Sequence, residues 1–287
     1  MTAEMINGIR EIADQFDAVL LDQWGALHEG QAVFPAARDC VAKLRAGGKK
    51  ILVLSNSGKR SSENLRRLQD LGLPADEYDG VLSSGEVAWR GLRDPAHAAF
   101  PALGKRCYLI TRGRDLSIVA GLSVDIASNP SVADFILLAG LDDDKSAPEA
   151  WQAIFATAIS RQLPMLCANP DLTMFGAGGL MPAPGALAAH YAAMGGRVIY
   201  IGKPHPPIFV AAMSQLGNPA PKRVVVIGDS LDHDILGGCQ AGMRTVLIAA
   251  GVHAPILRNA RDVPKAVRDL AAGPANEPDW IIDHLAW

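Results

Sequence analysis

Cysteine is scarce, aromatic residues make up only 6% of the chain, and charge of either sign is nearly balanced. The four cysteines, Cys40, Cys107, Cys167 and Cys239, form no CxxC pair, and a disulfide or zinc framework needs a denser, patterned set. They are expected to be buried thiols. Met1–Ile12 carries Glu4, Arg10 and Glu11 without the apolar heart of a leader, and nothing approaches the ~18 uninterrupted apolar residues of a membrane span. A cytoplasmic protein with no membrane partner is the expectation. With 27 basic and 30 acidic residues the formal charge is −3, whereas a nucleic-acid binder carries a basic field across a whole domain. Nucleic acid is therefore set aside, and any anionic ligand must be caught locally. Walker A, HExxH and GxSxG sequences are missing too, and the glycine-rich Phe175–Leu180 (FGAGGL) lacks GxGxxG spacing.

What is present is a globular composition: 49% hydrophobic and 20% charged residues over 287 positions, enough for two ordinary domains. Short apolar runs end on small or acidic polar residues: Ala18–Asp22 (AVLLD), Lys50–Ser55 (KILVLS), Arg223–Asp229 (RVVVIGD) and, more weakly, Arg244–Ala249 (RTVLIA). Continuous runs of this length suit strands covered on both faces. Between the first two, Ala37, Val41 and Leu44 recur at helical spacing within Ala36–Ala46, and Gly47-Gly48 supplies the stop. Ser61–Leu71 reads as the next helix, capped by Ser61 or Ser62. The alternation predicts an α/β fold with a parallel, doubly wound sheet.

The middle of the chain repeats this grammar with Cys107–Thr111, Phe135–Ala139 and Pro164–Ala168 as strands and Glu149–Ser160 as a helix. It reads as an inserted domain over 84–180, with the first domain made of 1–83 and 181–287. The Gly- and Pro-rich Phe175–Gly185 marks the return. Pro278–Leu285 reads as a last strand and short helix. The run Asp142–Asp144 is expected to be a solvated face.

In an open α/β sheet ligands bind beyond the carboxyl ends of the strands, so Asp22, Ser55 and Asp229 should face one crevice. Two carboxylates with a hydroxyl between them suit a hard cation and a phosphate. Equally, each could be only a strand-ending turn residue.

Four short segments then occur in order: Asp22-Gln23-Trp24-Gly25, Ser55-Asn56, Gly202-Lys203-Pro204, and Gly228-Asp229-Ser230 with Asp234. Together they resemble the four motifs of the haloacid dehalogenase (HAD) superfamily. The insert between the second and third, with Asn169-Pro170-Asp171 near its end, resembles the class IIA branch of sugar-phosphate and p-nitrophenyl phosphatases. The resemblance covers the chain from about Phe16 to about Leu285. It implies a Rossmann-like core with an inserted α/β cap of the C2 type, and a magnesium-dependent phosphatase acting on a small phosphorylated metabolite. Asp22 would be the nucleophile, forming an aspartyl-phosphate. Mg2+ would be held by Asp22, the Trp24 carbonyl and Asp229. Ser55, Asn56 and Lys203 would contact phosphoryl oxygens, Asp234 would orient Lys203 or a metal-bound water, and Gly25 would shape the turn. Asp234 could equally serve as a helix-cap carboxylate, and Asn169 and Asp171 could touch substrate or only shape their loop. The resemblance leaves a homodimer open, because related caps form dimer interfaces.

The chain departs from the family pattern at Trp24. Phosphatases of the superfamily place a second aspartate there, which protonates the leaving oxygen and then activates water. Indole is a donor with no useful acid or base pKa. General acid–base catalysis contributes about 10²–10⁴-fold, so three outcomes are open: a substrate whose leaving group needs little help, such as an acyl or aryl phosphate, or a phosphotransferase or phosphonate-cleaving relative; a substitute acid such as His28; or a phosphometabolite-binding sensor or interaction protein without turnover. The bulk of Trp24 could also pack under the insert.

Overall fold

A computed structural model describes residues 3–97, 100–176, 179–271 and 273–287. A two-residue strand, β1 (Glu4–Met5), precedes β2 (Ala18–Asp22), whose five residues are all buried. Helix α1 (Pro35–Ala46) starts on a proline, tolerated where the backbone N–H has no intrahelical partner, and buries Ala37, Cys40, Val41 and Leu44. It leads into β3 (Lys50–Ser55), which pairs in parallel with β2 so that Asp22 lies opposite Leu54. Next come α2 (Ser61–Asp70), β4 (Gly80–Ser83) and α3 (Ser84–Arg93). Ser83 caps α3 by accepting the Glu86 N–H at 3.1 Å, and the S-x-x-E spacing over Ser83–Glu86 is the signal for this helix that periodicity passes over.

The chain continues through β5 (Arg106–Ile110), β6 (Asp125–Ile126), β7 (Phe135–Leu138), α4 (Gln152–Ser160), β8 (Pro164–Cys167), an antiparallel hairpin of β9 (Thr173–Gly176) and β10 (Gly179–Pro182), α5 (Pro184–Ala193) and β11 (Arg197–Tyr200). After α6 (Pro206–Leu216) follow β12 (Val224–Gly228), α7 (Leu236–Gln240), β13 (Arg244–Ile248), α8 (Ala254–Leu257), α9 (Val263–Leu270) and β14 (Trp280–Ile282).

Two compact units result: Met1–Ser55, Ser62–Leu82 and Phe209–Trp287 form one, Asn56–Ser61 and Ser83–Ile208 the other. The first holds a seven-stranded sheet in the order β1-β14-β13-β12-β2-β3-β4. Val19, Leu21, Val53, Val225 and Ile227 from its central strands pack with Phe16, Leu27 and Leu44 on one face. On the other, Leu247 and Ile281 pack with Leu231, Ile235 and Val267. Full burial of each such side chain stabilises by roughly 1.5–3 kcal/mol, which explains why these runs carry no polar alternation. The second unit holds a parallel five-stranded sheet, β11-β8-β7-β5-β6. Its core includes Phe155 and Tyr191, whose buried hydroxyl donates to the Leu163 carbonyl at 2.7 Å.

The doubly wound parallel sheet agrees with expectation, but three boundaries differ. The second unit runs to Ile208 and not to 180, because β11 pairs with β8 and extends the second sheet. Phe175–Gly185 includes the end of β9, all of β10 and the start of α5, although Ala177 and Gly178 within it lie outside the described residues. No helix follows β14, where Asp283–Leu285 form bends. Among the cysteines, Cys40, Cys107 and Cys167 are buried as expected and burial pushes each thiol up to about 12, while Cys239 is half-buried. No described helix is long and apolar enough to cross a membrane.

Candidate active site

Strands β12, β2 and β3 are neighbours running in one direction, so their carboxyl ends deliver Asp229, Asp22 and Ser55 to the same edge of the first unit's sheet. The π-helical turn Leu231–Ile235 that follows β12 then brings Asp234 back toward the strand. One oxygen from each of Asp22, Asp229 and Asp234 lies within 4.8 Å of the others, and all three residues are buried. Asp234 is thus gathered with the two expected carboxylates, a more direct position than the supporting role read from sequence. The cap of this turn is Ser230, whose hydroxyl accepts the His233 N–H at 3.2 Å, while Asp234 accepts the Ser230 N–H at 3.3 Å.

Glycines make this packing possible. Gly25 has φ +80°, and a Cβ there would stand 2.2 Å from Asp229 Oδ2; one at Gly228 would stand 2.1 Å from the Asp234 carboxyl carbon. Asp229 Oδ2 also accepts the Val252 N–H at 2.8 Å, a contact from the loop after β13 that no motif signals. Three carboxylates this close repel one another when ionised. An all-oxygen donor set of this density suits a hard divalent cation, which would offset that repulsion.

The loop after Asp22 is built around His28. Its backbone folds on itself through Leu27 N–H and His28 N–H to the Gln23 carbonyl and Gly25 N–H to the His28 carbonyl. The His28 ring is fully buried. Nδ1 accepts the Gly30 N–H at 3.0 Å, so the proton of the neutral ring sits on Nε2, 3.2 Å from the side-chain amide of Gln23. A ring N–H requires an acceptor there, so the Gln23 carboxamide, whose Nε2 stands at that position while its Oε1 is buried without a partner, is assigned the opposite orientation. Burial, with help from the Arg67 charge, holds the ring pKa down at about 4. His28 is therefore a neutral pillar of the loop and not the substitute acid: at neutral pH its only proton is committed to Gln23.

Trp24 keeps 43% of its surface exposed. Its indole meets the His28 ring edge-on at 5.5 Å, abuts Gly30, and carries the Arg67 guanidinium over its face at 5.6 Å. Arg67 is a neighbour that sequence reasoning does not single out.

In the second unit, Lys203 sits between β11 and α6 and is 3% exposed. Its N–H donates to Asn56 Oδ1 at 2.7 Å, and its carbonyl accepts from Asn56 Nδ2 at 3.1 Å. Asn56 Nδ2 also donates to Asp171 Oδ1 at 2.8 Å. Both amide hydrogens of Asn56 are thus committed within the protein, so its side chain has no N–H left for a phosphoryl group. Asn169 Oδ1 accepts the Asp171 N–H at 3.0 Å, so Asn169 shapes its loop. Asp142 and Asp143 are tied to Lys145 at 3.0 Å and Arg112 at 2.6 Å respectively.

Comparison with known proteins supplies the family context. Haloacid dehalogenase-like hydrolase profiles match residues 19–124 and 121–242, and a further HAD-hydrolase-like profile matches 200–287. The chain is 30% identical over 249 residues to chronophin of Rattus norvegicus, covering 85% of this chain and 80% of that protein. It is 28% identical to glycerol-3-phosphate phosphatase of Gallus gallus, covering 96% and 92%. The crystal structure of a haloacid dehalogenase-like hydrolase from Brucella suis 1330 superposes with a TM-score of 0.80 at 29% identity, covering 98% of this chain and all of that one.

Proposed function

Because the chain belongs to the haloacid dehalogenase-like hydrolases, we propose that it is a divalent-metal-dependent phosphatase, using magnesium, that acts on a small phosphorylated metabolite. The observation that carries this reading is the buried cluster of Asp22, Asp229 and Asp234. Asp22, Asp229, Asp234 and the Trp24 carbonyl would hold the cation, which when bound neutralises phosphoryl charge. Asp22 attacks phosphorus; an Asp22 oxygen–phosphorus bond forms as the bond to the leaving oxygen breaks. That oxygen takes its proton from solvent, since Trp24 cannot give one usefully. Water then attacks the aspartyl-phosphate, releasing phosphate and freeing Asp22. Ser55 and Lys203 are proposed to bind phosphoryl oxygens, and the second unit to act as the cap that selects substrate. Glycerol phosphates and sugar phosphates are the first substrates to try, given the relatives' activities.

Trp24 favours a second reading, a phosphometabolite-binding protein that does not turn its ligand over. Magnesium-dependent phosphate release, measured on p-nitrophenyl phosphate and a panel of glycerol and sugar phosphates, separates the two. Turnover abolished by Asp22→Asn supports the phosphatase; binding without turnover on every substrate supports the sensor.

A further inference from the structure

Asn56 closes three points of the chain with one carboxamide. Its partners lie 115 and 147 residues away in sequence, and Asn56 itself is 6% exposed. Residue 203 receives both bonds: its N–H donates to Oδ1 at 2.7 Å and its carbonyl accepts from Nδ2 at 3.1 Å. This is the two-bond exchange by which paired residues in an antiparallel sheet fix each other, applied here to a residue outside any strand.

From this geometry we propose that Asn56 is the positioning residue of Lys203, and that Asp171 reinforces the orientation of the Asn56 carboxamide. The assignment rests on the proposed role of Lys203 at the phosphoryl group. An ionised carboxylate only accepts, so Asp171 Oδ1, 2.8 Å away, must face Nδ2. That leaves Oδ1 for the Lys203 N–H and prevents the amide from turning over. A bond to a charged acceptor is stronger than one between neutral groups, so Asp171 reinforces the orientation that the two Lys203 bonds also require. Asp171 is itself braced by the Asn169 side chain at 3.0 Å.

Gly202 is the independent mark of this clamp. A Cβ there would stand 2.5 Å from Asn56 Oδ1, 2.5 Å from Ser84 Oγ and 2.6 Å from Pro170 Cδ. A larger residue at 202 would push the carboxamide away from the peptide it holds. A lysine side chain is a long stem with several rotatable bonds, so anchoring both polar groups of its backbone fixes where that stem starts. Because both Asn56 donors are consumed, this side chain acts on a phosphoryl group only through Lys203.

The test compares the full-length protein with Asn56→Ala, Asn56→Asp, Asp171→Asn and the Asn56→Asp/Asp171→Asn double variant. Two readouts are taken: inhibition of p-nitrophenyl phosphate turnover by inorganic phosphate with magnesium present, and amide hydrogen exchange over residues 201–206. For Asn56→Ala we expect the phosphate inhibition constant to rise about 10- to 100-fold and exchange over 201–206 to accelerate at least tenfold. Asn56→Asp loses both donors and sets a carboxylate against Asp171, so it should be no better than alanine. Adding Asp171→Asn supplies a donor to the carboxylate introduced at position 56 and removes its repulsion with residue 171, while the Lys203 carbonyl still lacks its donor, so affinity should recover about tenfold relative to Asn56→Asp and stay below native. A merely structural role would lower the fraction of active protein and leave the inhibition constant unchanged; that result, unchanged exchange in Asn56→Ala, or no recovery in the double variant overturns the proposal. If the native protein turns over no substrate, the phosphatase reading fails by itself, and the exchange arm still decides whether Asn56 holds residue 203.

Discussion

Adding one methyl group at Gly25 should damage the acidic cluster far more than it damages the fold. Gly25 has φ +80°, and the new Cβ would lie 2.2 Å from Asp229 Oδ2. Gly48 provides the control: it has φ +73°, in the same first unit, and a methyl group there would meet nothing within 4 Å. Both alanine variants bear the left-handed backbone penalty, about 1–2 kcal/mol, which corresponds to a melting-temperature drop of roughly 2–8 °C for a domain of this size. Only Gly25→Ala must also displace a carboxylate by about 1 Å to reach ordinary contact, and a misplacement of that size at a reacting centre costs on the order of 10²-fold. Thermal denaturation and calorimetric titration with Mn2+ or Mg2+ read the two effects separately. Similar melting temperatures for the two variants are expected, with metal affinity at least tenfold weaker and turnover about 100-fold lower for Gly25→Ala alone. If Gly25→Ala keeps native metal affinity, or Gly48→Ala loses it equally, Asp229 is not a ligand and the reasoning about this cluster fails.

Protonation of His28 should appear in stability and not in catalysis. Its folded pKa of about 4 lies below the ordinary 6.5, so the unfolded chain binds the proton first. Stability from this group is full above about pH 6.5 and falls until about pH 4, by about 2 kcal/mol between pH 7 and pH 5. Urea unfolding of the native protein and His28→Asn at both pH values checks this; an equal pH dependence in the two would refute it. Asp234→Asn should weaken divalent-cation binding at least tenfold by calorimetry, whereas a helix-cap role would leave it unchanged. Trp24→Asp should raise turnover of alkyl phosphates by an order of magnitude or more relative to p-nitrophenyl phosphate, in steady-state assays; a fall on both substrates would show that the indole has its own task.

The parts legible from sequence share a physical cause. Strands β2, β3 and β12 are buried on both faces, so their residues form unbroken apolar runs that end where the polypeptide leaves the sheet; Asp22, Ser55 and Asp229 stand at those ends. By contrast, the apolar run Val198–Ile201 at β11 marks a strand without saying which of the two sheets it joins, and only its pairing with β8 assigns it to the second. Periodicity consequently places the domain return too early. His28 is ambiguous in sequence because a loop histidine exposed to water and one sealed inside a turn carry the same letter. The Asn56–Lys203–Asp171 connection is equally hidden: hydrogen bonds over such separations leave no local spacing to read.

Mixing the protein with magnesium and excess p-nitrophenyl phosphate, and following nitrophenolate on the millisecond-to-second scale, tests the role of Asp22 most directly. An activated leaving group departs without an acid, while water must attack the aspartyl-phosphate without a carboxylate base at position 24. A burst of about one nitrophenolate per active site is expected, followed by slower steady release, and neither phase in Asp22→Asn. Unimpaired nitrophenolate release by Asp22→Asn would contradict that role.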